Sequence, residues 1–307
     1  MVMRARGAAI VLLGLVAMIS AGCSVRRVAL RGVADTLAAA GDTFASDEDP
    51  ELIRDAVPFS LKTMESVLAE LPNHTGLLLA CCSGFTQYAY AFIQTDADLV
   101  EAIDFDRAQE LRGRAQRMFL RARGYCLRYL ELKHRGIGAR LVTAPAAAVA
   151  EVGREDVPAL YWTGAAWGSA IALGLDRPEL IADLPAVRAL FDRAMALDEA
   201  WDRGALHAAL IPMEASAVMG GSPDKAREHF RRAVDLSRGL SAGPYVSFAA
   251  SVSVAEQDRA EFERLLTDAL AIDIEQETSL RLANILAQRR ARALLARIDE
   301  LFVEPEP

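Results

Sequence analysis

Side chains suited to catalysis or metal binding are scarce in this chain. Its four histidines, His74, His134, His207 and His229, are scattered. None lies four residues from another, which excludes a zinc site built from a helical histidine pair, and there is no Cys-x-x-Cys. Gly164-Ala165-Ala166-Trp167-Gly168-Ser169 has glycine and serine but lacks the lysine of a phosphate loop, and it falls inside an expected helix. It reads as a site of close helix packing. With no activated nucleophile and no acid–base pair in view, the expectation is a non-enzymatic protein without metal or cofactor. Positive charge is also in deficit, with 34 Lys and Arg against 42 Asp and Glu. An acidic chain of this kind argues against a nucleic-acid partner and against an electrostatic grip on anionic lipid.

Long hydrophobic runs are missing as well, save one at the start. Arg4 and Arg6 precede an unbroken stretch of apolar and small residues from Ala8 to Ile19, followed by Ser20-Ala21-Gly22-Cys23. That stretch is too short to span a bilayer core, which needs about 20 residues, and it has the layout of an export signal. Residues 1–22 are therefore read as a lipoprotein signal peptide, and Cys23 as the lipidated first residue of the mature chain. Ordinary cleavage near Ala21 is the alternative. Losing Arg4 and Arg6 makes the mature chain more acidic still. Membrane attachment is then expected through the lipid, and Ser24, in place of Asp, leans towards the outer membrane. Besides Cys23 there remain Cys81, Cys82 and Cys126, an odd number in an oxidising compartment. Adjacent cysteines on a helix face read first as core residues, with a Cys82–Cys126 bridge as the other possibility.

What is abundant is helical periodicity. Apolar residues recur at three- and four-residue steps almost throughout, while sustained two-residue alternation of β-branched residues is absent. The mature chain reads as all-α. Helices are expected at about 28–45, 50–71, 75–95, 105–132, 145–152, 157–173, 184–198, 204–219, 223–237, 244–254, 258–271 and 277–302. Asp49 before Pro50, Asp156 before Pro158 and Ser222 before Pro223 supply start signals. Residues 23–48 form the lipidated N-terminus and first helix, and 49–307 a helical domain. Its last helix is long and expected to cap the array or enter its concave face.

One spacing repeats: a small residue, an aromatic four positions on, and alanine three after that. It occurs at Ala115-Phe119-Ala122, Val187-Phe191-Ala194 and Ala226-Phe230-Ala233, with weaker copies at Phe262-Leu266-Ala269 and Ser60-Met64-Val67. On a helix these positions share one face, where small residues admit a close neighbour and the ring fills the gap beyond. The intervals suit an irregular tetratricopeptide-like solenoid of helical hairpins. Its aromatic residues gather, since Tyr161, Trp162 and Trp167 share one stretch and Trp201 follows the next hairpin. Inter-repeat core and a ligand- or partner-facing groove both fit such a cluster.

Several blocks, in order, resemble one family. They are Cys82-Ser83-Gly84-Phe85-Thr86-Gln87-Tyr88-Ala89, Tyr161-Trp162-Thr163-Gly164-Ala165-Ala166-Trp167-Gly168, Trp201-Asp202-Arg203-Gly204-Ala205-Leu206-His207 and Ala283-Asn284 with the Arg-rich C-terminal helix. With the lipobox cysteine they resemble the T-component (TatT) lipoproteins of TRAP, or tripartite ATP-independent periplasmic, transporters. The resemblance implies a periplasmic, membrane-anchored partner of the solute-receiving P-component. It further implies a trimer, with a cleft through each helical array that takes a small hydrophobic or organic-acid ligand. On that basis Tyr88, Tyr161, Trp162 and Trp167 are expected on the ligand-lining face, and His207 and Asn284 as polar orienting groups. A general tetratricopeptide scaffold of envelope assembly is the competing reading.

Overall fold

The computed structural model describes residues 26–303, so the expected signal peptide and Cys23 lie outside the described residues. Among the described residues there are helices and no strands. α1 runs through 26–38 and α2 covers Gly41–Ala45. Then come α3 (Pro50–Glu70), α4 (Thr75–Tyr88), α5 (Thr95–Val100), α6 (Phe105–Lys133), α7 (Ile137–Thr143) and α8 (Pro145–Val149). These are followed by α9 (Val157–Ala172), α10 (Pro178–Ile181), α11 (Leu184–Asp198), α12 (Ala205–Ala215) and α13 (Pro223–Leu236). The chain ends with α14 (Gly243–Phe248), α15 (Arg259–Ala271), α16 (Arg281–Ala296) and α17 (Ile298–Leu301).

Local chemistry sets most of these boundaries. Asp49 accepts hydrogen bonds from the Glu51 and Leu52 amides at 3.0 and 3.1 Å, with Pro50 at the first helical position of α3. Ser222 caps α13 in the same way, accepting from Lys225. The expected cap Asp156 does otherwise. It is buried and accepts from the Tyr129 hydroxyl at 2.8 Å and the Lys133 ammonium at 2.6 Å, and it contacts His134 Nε2 at 2.9 Å. Its charge is neutralised inside the protein and it makes no cap bond, tying α6 to the start of α9. The first expected helix breaks before Gly41, a poor helix former, and the last one ends at Ala296 rather than running to 302.

Neighbouring helices pair along the chain: α3 with α4, α4 with α6, α6 with α9, α9 with α11, α12 with α13, and α15 with α16. The repeated spacing marks the buried sides of these pairs. Ala115, Phe119, Ala122, Val187, Phe191, Ala194, Ala226, Ala233, Phe262, Leu266 and Ala269 are all buried. Glycines supply the opposing surface. A Cβ on Gly164 would sit 3.0 Å from the Phe191 ring, and one on Gly168 would sit 3.3 Å from Val187. The residues that resembled a phosphate loop are thus where α9 meets the ringed face of α11.

Cys82 and Cys126 form a disulfide with a Cα–Cα distance of 5.1 Å, joining α4 to α6. This corrects the first reading of Cys82 as an unbonded core residue: helix pairing brings two cysteines 44 positions apart face to face. Among the described residues Cys81 is the free thiol, fully buried, with its pKa pushed up to about 12 by burial.

A second correction concerns hydrophobic runs. Thr75–Val100 is long and apolar enough to cross a membrane, although no internal stretch was expected to be. More than half of its most apolar 18 residues are buried inside the protein, where Leu77, Leu78, Phe85 and Phe92 are in the core between α4 and its neighbours α3, α6 and α9, and this is the packing of a core helix.

α16 closes the array. Its Leu282 and Leu286 pack on the larger, N-terminal core, while Ala287, Leu294 and Leu295 pack on the C-terminal one. Polar reaches to the first hairpin reinforce this. Arg281 donates to the Ser46 carbonyl at 3.0 Å, Arg289 pairs with Glu51 at 2.6 Å, and Arg297 donates to the Asp98 carbonyl at 3.3 Å. The last long helix is therefore a strap from the end of the chain to its beginning.

Candidate ligand cleft

A cavity of about 490 Å³ lies between α4, α9, α12, α14 and the strap helix α16. That is the size of a small-molecule site. Sequence explains why space is left. Gly164, Ala165, Gly168, Ser169 and Ala172 line one wall of α9, and Ala208 and Ala209 line another on α12, so no side chain fills the gap. Tyr161, Trp162, Phe191, Met213 and Met219 supply larger apolar surface. Tyr161 stands edge-on to Trp162, centroids 4.8 Å apart, and leans on Trp201 at the same distance. The two methionines make the wall adaptable in shape.

Two π-helical turns border the cavity: Ala89–Gln94, continuing α4, and Ala249–Ser253, continuing α14. Each inserts an extra residue into a helix, a distortion found at functional sites because it re-aims side chains. The first turns Tyr90 and Gln94 toward the cavity, while Tyr88 and Phe92 stay in the core. The Tyr90 carbonyl accepts both the Thr95 amide and the Thr95 hydroxyl, the latter at 3.0 Å, which fixes the end of this turn.

Arg290 is the one charged side chain among the described residues of this largely apolar lining. Its Nη1 donates to the Tyr90 hydroxyl at 3.0 Å, and its Nη2 stands 3.6 Å from Asp98. Tyr90 and then Asp98 favour the charged guanidinium over its burial. Burial pushes the Asp98 carboxyl up, against the pull of Arg290 and Arg112. The guanidinium retains donors beyond these two contacts, as a planar group with five N–H bonds must. An apolar chamber with one arginine at its edge can hold an elongated apolar body and a carboxylate.

Of the residues singled out by sequence, Tyr161 and Trp162 line the cavity and the other four do not. Tyr88 is buried beside Phe92. Trp167 is buried on the opposite side of α9, donating to Asp183 at 3.2 Å with Arg123 stacked over its ring. Asn284 is buried, accepting from the Ala242 amide at 2.9 Å and donating to the Leu240 carbonyl at 2.8 Å, so it clamps α16 to the start of α14. His207 lies at the α12–α13 contact, with Nε2 3.1 Å from Glu199 and Nδ1 2.8 Å from Nδ1 of His229. Tyr90 and Arg290 were passed over. Arg289, Arg290, Arg292 and Arg297 crowd the end of the chain, and nothing in their spacing marks Arg290 as the one that faces the cavity. No periodicity predicts a π-helical turn, so Tyr90 carried no sequence signal.

The histidine pair gives the α12–α13 hairpin a titration. Arg232 holds Glu199 down to about 2, and that carboxylate orients His207 Nε2–H, so Nδ1 of His207 accepts from Nδ1–H of His229. A further proton would place two donors nose to nose. Burial, and for His207 the neighbouring His229, lowers both pKa values below 6.5. Below that value the unfolded chain binds more protons than the folded one, so stability is full above about pH 6.5 and falls as pH drops through the folded values. Each unit of depression is worth about 1.4 kcal/mol. Thermal unfolding from pH 7.5 to 5.0 is expected to show a falling midpoint, and His207→Gln/His229→Gln to flatten that dependence.

Comparison with known proteins gives this architecture a family. The description "TRAP transporter T-component" matches residues 46–302, most of the chain. The chain belongs to the TRAP transporter T-component family. Membership makes it an accessory component of a TRAP-type transporter, in a family of transport components rather than enzymes. An uncharacterised protein of Treponema pallidum (strain Nichols) is 28% identical over 307 aligned positions, covering 94% of this T-component and 95% of that protein. The match covers every wall of the cavity, from α4 to α16.

Proposed function

We infer that this T-component is a periplasmic protein, lipid-anchored through Cys23, that binds the solute-receiving P-component of its transporter and takes a small amphipathic organic acid into the cleft. The observation carrying this reading is the cavity of about 490 Å³ with apolar walls and the single guanidinium of Arg290 at its edge. Tyr161 and Trp162 contact the apolar part of the ligand, and Arg290, held by Tyr90, meets its carboxylate. A tetratricopeptide-like hairpin stack, supported by the repeated spacing, an outer-membrane location, supported by Ser24 after Cys23, and a trimeric assembly, implied by the family resemblance, belong to the same reading.

Binding to the partner is tested with the mature chain carrying Cys23→Ser and the P-component encoded nearby. Association is expected in a micromolar titration by calorimetry. No detectable heat or co-elution, with both proteins folded, would sink this part of the proposal.

A further inference from the structure

The N-terminal end of the described chain departs from the acidic character of the whole. Arg26, Arg27 and Arg31 fall within six positions of one another on α1, directly after the expected lipidation site. α1 lies against the turn between α3 and α4, and a second cavity of about 400 Å³ opens there. Arg27, Arg31, Asn73, His74, Leu71 and Thr75 are among its lining residues. The acids nearby are already engaged: Glu70, also in the lining, pairs with Arg26 at 3.2 Å, and Asp35 meets His74 Nε2 at 3.1 Å. Arg27 and Arg31 are exposed, one helical turn apart on the same face, and make no ion pair among the described residues. A third arginine, Arg128, reaches the same turn by donating to the Pro72 carbonyl at 2.8 Å.

We propose that the cleft between α1 and the α3–α4 turn binds the phosphate of an anionic phospholipid headgroup through Arg27 and Arg31. The chemistry is that of a phosphodiester, with two guanidiniums for the anion and Leu71 and Pro72 for the glycerol region beside it. Position supplies the second argument, and it rests on the reading of Cys23 as lipidated. Arg27 is four residues from Cys23, a reach of at most about 14 Å, so acylation there sets the cleft at headgroup depth. Net charge, which argued against a hold on anionic lipid, averages over the whole molecule. Attraction at a membrane falls off within about one Debye length, so the charge that counts is that of the anchored end. A basic end on an acidic protein also orients it, turning the cleft toward the bilayer and the acidic bulk away.

The test uses the mature chain carrying Cys23→Ser, so that binding reads the cleft and not the acyl chains. Co-flotation with vesicles of phosphatidylglycerol and phosphatidylcholine, against phosphatidylcholine alone, is expected to show retention only on the anionic vesicles. Arg27→Ala/Arg31→Ala is expected to weaken partition about 25-fold, at about fivefold per arginine. The charge-matched Arg264→Ala/Arg292→Ala, on exposed sites elsewhere, is expected to leave it unchanged; both doubles alter exposed positions, and circular dichroism confirms their folding. Equal loss in the two double variants would reduce the effect to net charge and overturn the proposal. So would binding of inorganic phosphate by calorimetry without retention on vesicles, which would assign the cleft to a free anion. Intact mass of the membrane-extracted wild-type chain reads acylation at Cys23 separately, so failure of the anchor and failure of the cleft are told apart.

Discussion

Replacing Cys82 and Cys126 together by alanine is expected to destabilise the protein by about 4 kcal/mol, the loop entropy released when a 44-residue separation is no longer cross-linked. The bridge ties α4 to α6, and α4 continues into the π-helical turn that carries Tyr90, so the loss is not confined to a chain terminus. Guanidinium unfolding of the double variant is expected to show a lower midpoint, and wild-type protein in excess reductant to approach the same value. An unchanged midpoint in both would mean that the unfolded chain is already compact around these residues. In the folded protein Cys81 does not exchange with the bridge: attack on a disulfide needs a thiolate, and burial pushes its pKa up to about 12. Folded wild type and a Cys81→Ala variant should therefore both keep the Cys82–Cys126 bridge without reshuffling, read by peptide mapping under non-reducing conditions.

Arg290→Met is expected to lower affinity for an apolar carboxylate by about 10- to 100-fold, the worth of a charge-assisted hydrogen bond in a largely apolar site. Methionine keeps the aliphatic stem, so the neutral amide of the same ligand should bind within about twofold of its wild-type affinity. Trp162, in the cavity wall, offers an intrinsic fluorescence signal for both titrations. The two ligands matter because Arg290 also hydrogen-bonds Tyr90 and faces Asp98. If both affinities fall together, the arginine acts only by holding the strap in place, and the cleft has no preference for an acid. Tyr90→Phe, which removes one hydrogen bond and leaves the charge, is expected to give a smaller loss in the same assay.

Features governed by local chemistry were legible before any fold was known. The all-α class, the start of α3 at Pro50, α11 at 184–198 and the buried faces carrying Phe119 and Phe191 all follow from periodicity, capping and proline. Two of the tight cluster Tyr161, Trp162 and Trp167 proved to line a cavity and the third did not, because residues spread over successive turns of α9 point to different sides. What escaped depends on contacts between distant segments. Asp156 resembles a helix cap until Tyr129, Lys133 and His134 surround it. His207 and His229 are 22 positions apart and become one proton-sharing pair only when α12 meets α13.

Sequence alone thus determined the all-α class, most of the long helices, the repeated face that is buried between them and the family, since each is written in short-range spacing or in ordered blocks of residues. Tertiary structure alone decided that Cys82 pairs with Cys126, that small residues on α9 and α12 leave a chamber, and that Arg290 faces into it. The physical reason is common to all three. Periodicity fixes which side of a helix is buried, but whether that side meets a sulfur, a ring or empty space depends on the partner helix. In this protein the decisive partner, α16, returns from the far end of the chain to close over the first hairpin.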